Sequence, residues 1–344
     1  CRFNSDQLYM LDKQRIGKLS DLLADKSRDI CIVMHASPDG DAVGSSLALY
    51  NWLDENAYTK LSVIAPDAYA EFLQWMPGND KITIASENKQ VAESYIAKAD
   101  VIFCLDFNGF SRAGMLEKNI ADTSAHKVMI DHHPQPGEGF DIVFSDTAVS
   151  STAELIYEVI TELGGSDSVS LDTAKCIYAG IVTDTGSFSY GCNNPRTYEI
   201  VAKLIEKGVD GAHLHRLIYS TYSEERMRLL GFCLSEKLCV MKQEGTAFIS
   251  LTAEELERFG YQEGDTEGIV NYALNIKGIS LAALFTETDD YIKSSFRSSG
   301  DLDVNSLARK FFNGGGHKNA AGGRSYKSMS RTLEEFASLV KSEF

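Results

Sequence analysis

Three separate apolar runs in this sequence end in Asp or His. Ile-Cys-Ile-Val-Met is followed by His35, and the next residues bring Asp39 and Asp41. Val-Ile-Phe-Cys-Leu ends on Asp106, and Lys-Val-Met-Ile ends on Asp131, His132 and His133. A further acid, Asp184, lies near the end of an apolar helical stretch, where negative charge opposes the helix dipole and needs compensation, for which a cation is a good candidate. His35, Asp39, Asp41, Asp106, His132 and Asp184 together supply four carboxylates and two imidazoles. Two divalent cations would balance the four carboxylate charges. An oxygen-rich set with some nitrogen suits Mn²⁺, or Mg²⁺, better than a thiolate-type structural zinc site. Two such ions about 3.5–4 Å apart can clamp an in-line phosphoryl displacement. The bland alternative is a scatter of helix caps and salt bridges. One acid at a strand end is usually a cap, but three clusters at one sheet edge are hard to assign to capping alone.

Adjacent residues in extended chain point to opposite sides, so His132 and His133 are not expected to bind one ion in the same way. One is a ligand and the other a phosphate contact or general acid. Asp131 then orients an imidazole through a hydrogen bond.

The elements that must position these groups follow from the pattern. Short β-rich runs at Asp29–His35, Lys60–Ala65, Asp100–Asp106 and Lys127–His132 alternate with helical stretches at 42–56, 88–99, 151–163 and 170–182. That alternation predicts a parallel α/β sheet, whose ligands bind in the crevice outside the C-terminal strand ends. Helices are expected over 194–207 and 211–230, bridging two domains. From about Cys233 the strand candidates cluster at 238–242, 246–250, 279–286 and 291–297, with a C-terminal helix over 332–342. This reads as a smaller α+β domain. The expected organisation is a metal-binding domain over 1–200, a helical linker over 201–232 and a substrate-binding domain over 233–344, with a cleft between the two domains. Ser150–Ser151 with Glu154 reads as a capping box at a helix start, in preference to a direct phosphate contact.

The chain has 344 residues and 44% hydrophobic residues, enough for two packed cores. No apolar run approaches the ~20 residues of a membrane span, and nothing resembles a signal peptide. Seven cysteines without a Cys-x-x-Cys pair fit a reducing, cytoplasmic setting. A net charge of −16 argues against tracking along duplex DNA, though not against a small anion held locally. Residues 291–327 oppose that trend, with seven Lys and Arg against two Asp. Within them, Gly314, Gly315 and Gly316 precede His317. Successive glycine N–H groups can form an anion-binding concavity, and a tight structural turn is the other reading.

The segments 35–41 (His-Ala-Ser-Pro-Asp-Gly-Asp), Asp106, 131–133 (Asp-His-His) and Asp184 resemble the four motifs of the DHH phosphoesterase superfamily. The segment 312–323 (Phe-Asn-Gly-Gly-Gly-His-Lys-Asn-Ala-Ala-Gly-Gly) resembles the glycine-rich motif of the DHH-associated domain. These motifs span residues 35–323, and the chain is most similar to the oligoribonuclease and pAp-phosphatase branch. The resemblance implies that His35 and Asp39 bind one ion, that Asp41, His132 and Asp184 bind the other, and that Asp106 bridges them. It implies His133 facing the scissile phosphate, with Asp131 beside it, and Arg112 near that phosphate. It also implies Arg297 and the Gly314–His317 segment on the substrate. The implied activity is two-metal hydrolysis, with Mn²⁺ favoured, of short oligoribonucleotides, pAp or pApA. A cyclic-dinucleotide phosphodiesterase, an exopolyphosphatase and a non-catalytic nucleotide sensor are the alternatives. No membrane partner is expected, and homodimerisation has no clear sequence mark.

Overall fold

Runs of Ile, Val, Leu and Phe too short for helices make the centre of the first half of the chain. The computed structural model describes residues 11–343, so Cys1 lies outside the described residues. It divides into two units, Cys1–Thr221 and Tyr222–Phe344. The first unit holds β1 (Ile30–Met34), β2 (Leu61–Ala65), β3 (Ile82–Ile84), β4 (Val101–Leu105), β5 (His126–Asp131) and β6 (Ile142–Ser145). They form one parallel sheet in the order β3-β2-β1-β4-β5-β6. β1 and β4 are buried at every position, as central parallel strands covered on both faces must be. One face packs Ile32, Phe103 and Ile130 against helices, and the other packs Cys31, Val33, Ile102 and Cys104. The winding direction reverses between β1 and β4, which makes their C-terminal ends the switch point where open α/β sheets bind ligands.

The parallel α/β class expected from sequence is therefore the one observed. β3 and β6 have no counterpart in the sequence reading. Both are edge strands, three and four residues long and partly exposed, so neither carries a full apolar run.

Two helices bring distant acids to the same end of the sheet. Helix Gly40–Glu55 follows β1, and helix Leu171–Asp184 lies against it. Their approach depends on glycine. A Cβ on Gly44 would stand 2.7 Å from the Cys176 carbonyl oxygen and 2.9 Å from the Gly180 nitrogen, both backbone atoms that cannot swing aside. Gly44→Ala is thus expected to cost about 1–3 kcal/mol of stability by overpacking. Urea unfolding measures this, and a change of less than about 0.5 kcal/mol, the range of ordinary surface substitutions, would contradict it.

The helix expected over 211–230 is two helices, Gly211–Tyr219 and Glu224–Phe232. Ser223 caps the second by accepting from the Arg226 N–H, a local hydrogen bond that competes with helix continuation. Leu204, Leu214 and Ile218 are buried in the core of the first unit. The break between the two helices contains the boundary between the units.

The second unit contains β7 (Cys239–Met241), β8 (Thr246–Leu251), β9 (Leu281–Glu287), β10 (Ile292–Ser298), β11 (Gly315–Gly316) and β12 (Ala320–Ser325). The sheet order is β11-β12-β10-β9-β8-β7, with β8 and β9 parallel and the other pairs antiparallel. Phe285, Phe296, Phe312 and Phe336 fill one of its cores. The smaller α+β domain expected here is present. β11 and β12 were not legible because Gly and Ala dominate them and they have little intrinsic strand preference.

Among the described residues, no helix is long and apolar enough to cross a membrane. The six cysteines among the described residues are free thiols, and all but Cys239 are buried.

Candidate metal centre

β1, β4 and β5 each deliver their acid or imidazole at the C-terminal end of the parallel sheet. His35 follows β1, and its Nδ1 lies 2.9 Å from the Ala36 carbonyl oxygen. A carbonyl only accepts, so Nδ1 carries the hydrogen and Nε2 turns toward the acids. Asp39 caps helix Gly40–Glu55, its Oδ1 accepting from the N–H groups of Asp41 and Ala42 at 3.1 and 3.0 Å. The same oxygen stands 3.8 Å from His35 Nε2, so here a capping residue and a candidate ligand are one side chain.

Asp106 sits just past β4 with φ +63°, a left-handed conformation uncommon outside glycine. Its N–H is held by the Ile130 carbonyl oxygen of β5. Asp106 Oδ2 lies 3.5 Å from His35 Nε2, while its Oδ1 lies 3.8 Å from His132 Nε2 and 3.7 Å from His133 Nδ1. His132 Nε2 also stands 3.9 Å from Asp41 Oδ2 and 3.4 Å from Asp184 Oδ2. Three groups emerge within the first unit: His35 with Asp39 and Asp106, Asp41 with His132 and Asp184, and Asp106 with Asp131 and His133. The two oxygens of Asp106 face different groups.

These spacings bear on metal binding. Two ligands each about 2.1 Å from one octahedral ion stand roughly 3.0 Å apart when cis and roughly 4.2 Å apart when trans. Distances of 3.4–3.9 Å run longer than ordinary hydrogen bonds and lie between those two values. Electrostatics agree. Burial and then the charges of Asp106, Asp184 and Asp39 push the Asp41 carboxyl well above its usual range. Burial opposes charging His35, yet Asp106 and Asp39 outweigh it and raise the imidazole to about 10. Burial alone would raise Asp106, but its three histidine neighbours hold it below the usual carboxylate range. The shifts of Asp41 and His35 mark places where added positive charge is favoured, whereas that of Asp106 reports the imidazolium charge already beside it. The donor set therefore fits a pair of divalent cations.

Asp131 and His133 form a distinct pair. Asp131 is fully buried, and its Oδ1 accepts from His133 Nδ1 at 2.7 Å. Burial lowers the His133 imidazole, but the bond to Asp131 and the charge of Asp106 outweigh it and raise it. His132 and His133 rings meet edge-on at an interplanar angle of 74°, so the two imidazoles serve different directions. The exposed Arg112 enters through its backbone, its carbonyl oxygen accepting from the Ala36 N–H at 2.7 Å. Its charge works against charging His133.

In the second unit Arg297 lies on the partly exposed face of β10, opposite Ala320 of β12. The glycine segment differs from the concavity expected of it. The Gly314 N–H donates to the Ala308 carbonyl oxygen, that of Gly316 to Asn305 Oδ1, and that of His317 to the Ala320 carbonyl oxygen. These N–H groups are committed inside the unit and do not form an open anion cradle. The glycines permit close strand approach instead: a Cβ on Gly314 would stand 1.9 Å from the Gly322 carbonyl oxygen.

Sequence reading missed Thr152 and Ala153, whose N–H groups donate to Asp41 Oδ2 and Oδ1 at 2.6 and 2.9 Å. The expected capping box is also incomplete. Ser151 Oγ accepts from the Glu154 N–H, but the Glu154 carboxylate takes the N–H and hydroxyl of Ser150 instead of the Ser151 N–H.

Similarity to known proteins follows the same lines. Residues 29–181 match the DHH family, N-terminal domain, and residues 245–344 match the DHHA1 domain. The bifunctional oligoribonuclease and PAP phosphatase NrnA of Bacillus subtilis is 31% identical over 91% of this chain and 95% of its own. The crystal structure of an exopolyphosphatase-related protein from Bacteroides fragilis superposes with a TM-score of 0.90 at 40% identity, covering 97% of each chain. RecJ of Thermus thermophilus in complex with Mn²⁺ shares the fold at a TM-score of 0.56 and 12% identity, over 96% of this chain and 54% of that one. The chain belongs to the DHH family, with a DHHA1 domain following its DHH domain.

Proposed function

We propose that this protein is a two-metal phosphoesterase that hydrolyses short oligoribonucleotides and small nucleotides such as pAp or pApA, and that it works in the cytoplasm. The observation that carries this reading is the convergence of His35, Asp39, Asp41, Asp106, His132 and Asp184 at the switch point of one parallel sheet. The NrnA relative, whose name gives both activities, supports the substrate class. In this reading His35 and Asp39 hold one ion, Asp41, His132 and Asp184 hold the other, and Asp106 reaches both. Divalent ions there, Mn²⁺ first and Mg²⁺ second, would neutralise phosphate charge and lower the pKa of an attacking water.

The chain's own residues do the rest. His133, with Nδ1 held by Asp131, delivers a proton from Nε2 to the leaving oxygen or stabilises charge on it. Arg297 and His317 contact the substrate's anionic end, Arg297 through a guanidinium able to take a phosphate with two parallel hydrogen bonds. Gly314, Gly315 and Gly316 contribute through close backbone approach.

The test is Mn²⁺-dependent hydrolysis of pAp, pApA, a five-residue RNA, a long RNA and pyrophosphate. Turnover of the short nucleotides is expected to exceed that of long RNA. Arg297→Ala is expected to raise KM for pAp about tenfold, the equivalent of one charge-assisted hydrogen bond. Long RNA cut as fast as the dinucleotide would overturn the substrate assignment.

A further inference from the structure

Helix Thr152–Gly164 begins beside the candidate metal centre, and its first turn is clamped from two sides. Glu154 is fully buried, and its Oε2 accepts from the Ser150 N–H at 3.0 Å, the Ser150 hydroxyl at 2.6 Å and the Thr197 hydroxyl at 2.8 Å. Thr197 belongs to helix Pro195–Glu206, and Arg196 of that helix pairs with Glu158. The helix start is thus tied to a second helix through buried polar contacts. Its own donors point the other way. The Thr152 N–H donates to Asp41 Oδ2 at 2.6 Å, and the Thr152 hydroxyl donates to Asp106 Oδ1 at 2.8 Å. One side chain and its own amide therefore touch two carboxylates from different elements, Asp41 in helix Gly40–Glu55 and Asp106 just past β4. One of these belongs to the group with His132 and Asp184, and the other reaches His35.

The hydroxyl controls one torsion. Asp106 lies on a left-handed turn past β4, where no regular strand geometry fixes its side chain. A hydrogen bond to Oδ1 sets the rotation of the carboxylate about its Cβ–Cγ bond. Oδ1 is then held toward His132 and His133, and Oδ2 toward His35. Thr152 is fully buried, so water cannot replace the donor at that oxygen. Its Cβ branch also restricts the hydroxyl to few rotamers. The backbone N–H to Asp41 persists whatever the side chain, whereas the bond to Asp106 needs a hydroxyl.

We propose that Thr152 is a positioning residue that holds the two halves of the metal centre in register by orienting Asp106 through its hydroxyl. This rests on the reading of Asp41 and Asp106 as metal ligands, and direct metal binding separates the two claims. Hydrogen-bond partners of ligands typically change metal affinity 10–100-fold when removed.

The experiment compares Thr152→Val, Thr152→Ser and Thr152→Ala with wild type. Mn²⁺ binding is read by titration calorimetry, and coupling between the ions by electron paramagnetic resonance. Thr152→Val keeps the shape and loses the hydroxyl. It is expected to weaken binding of the second Mn²⁺ about 10–100-fold and to diminish the spin-coupled signal. Thr152→Ser keeps the hydroxyl and is expected to bind both ions nearly as wild type does. A purely structural role reverses this order, because Val preserves packing and Ser does not. If Thr152→Val does not fold, Ser and Ala provide the same contrast, since both lose the methyl and differ by the hydroxyl. Equal affinity and equal coupling in the variants with and without the hydroxyl would overturn the proposal. A wild type that binds no Mn²⁺ pair would overturn the ligand reading itself.

Discussion

Asp106→Asn is expected to lower Mn²⁺-dependent hydrolysis of pAp by about a thousandfold or more while leaving the fold intact. The substitution preserves size and can still accept the Thr152 hydroxyl through its carbonyl oxygen. What it loses is charge at a carboxylate whose two oxygens face separate groups of candidate ligands. Losing a single preorganised donor at an active site already costs about 10²–10³ in rate, and Asp106 serves two ions in this reading. Elemental analysis of the purified variant should find fewer than two ions per chain. Circular dichroism should be unchanged, because β4 and its neighbours are held by backbone ladders and an apolar core rather than by this acid. Activity within tenfold of wild type would remove Asp106 from the centre of the mechanism. Loss of activity together with loss of fold would instead mark it as structural.

Removing divalent ions with a chelator is expected to abolish turnover and to lower the melting temperature of the N-terminal unit. Asp39, Asp41, Asp106 and Asp184 crowd one end of the sheet, and burial with mutual repulsion already pushes the Asp41 carboxyl well above its usual range. A ligand present at a hundred times its dissociation constant stabilises the state it binds by about 2.7 kcal/mol. In a unit of this size that corresponds to roughly 5–10 °C in Tm. Scanning calorimetry with and without Mn²⁺ measures it, and Mn²⁺ added back should restore both Tm and activity. A Tm independent of Mn²⁺ over a wide concentration range would show that no ion binds the folded state preferentially. The C-terminal unit, whose cores are aromatic and aliphatic, should show no such dependence.

The catalytic end of the molecule was legible because its signals are local. A buried parallel strand must be a short apolar run, so a His or Asp that follows such a run is visible one residue at a time. His35, Asp106 and Asp131–His133 were readable for that reason. Gly44 and Gly180 were not, because the need for glycine arises where two helices cross, not within either helix. The helix break after Tyr219 was missed because 211–230 retains helical spacing, and the competing cap is a single hydrogen bond at Ser223. The glycine run was seen, with both of its readings open. Triple glycine is consistent with an anion cradle and with close strand packing alike, and only the partners of its N–H groups separate the two.

By itself the amino-acid sequence determined which chemistry this protein carries: four carboxylates and two imidazoles in an alternating α/β pattern, followed by a smaller mixed domain. Charge balance and the rule that parallel sheets bind ligands at their C-terminal ends are enough for that inference. Tertiary structure alone decided how those groups are held. Asp106 faces two groups because a left-handed turn past β4 aims it between His35 and His132. Thr152 became part of the centre because its partners lie 46 and 111 residues away, a separation at which no spacing rule operates. Residue type sets what a side chain can bind, and the packing of remote segments sets what it meets.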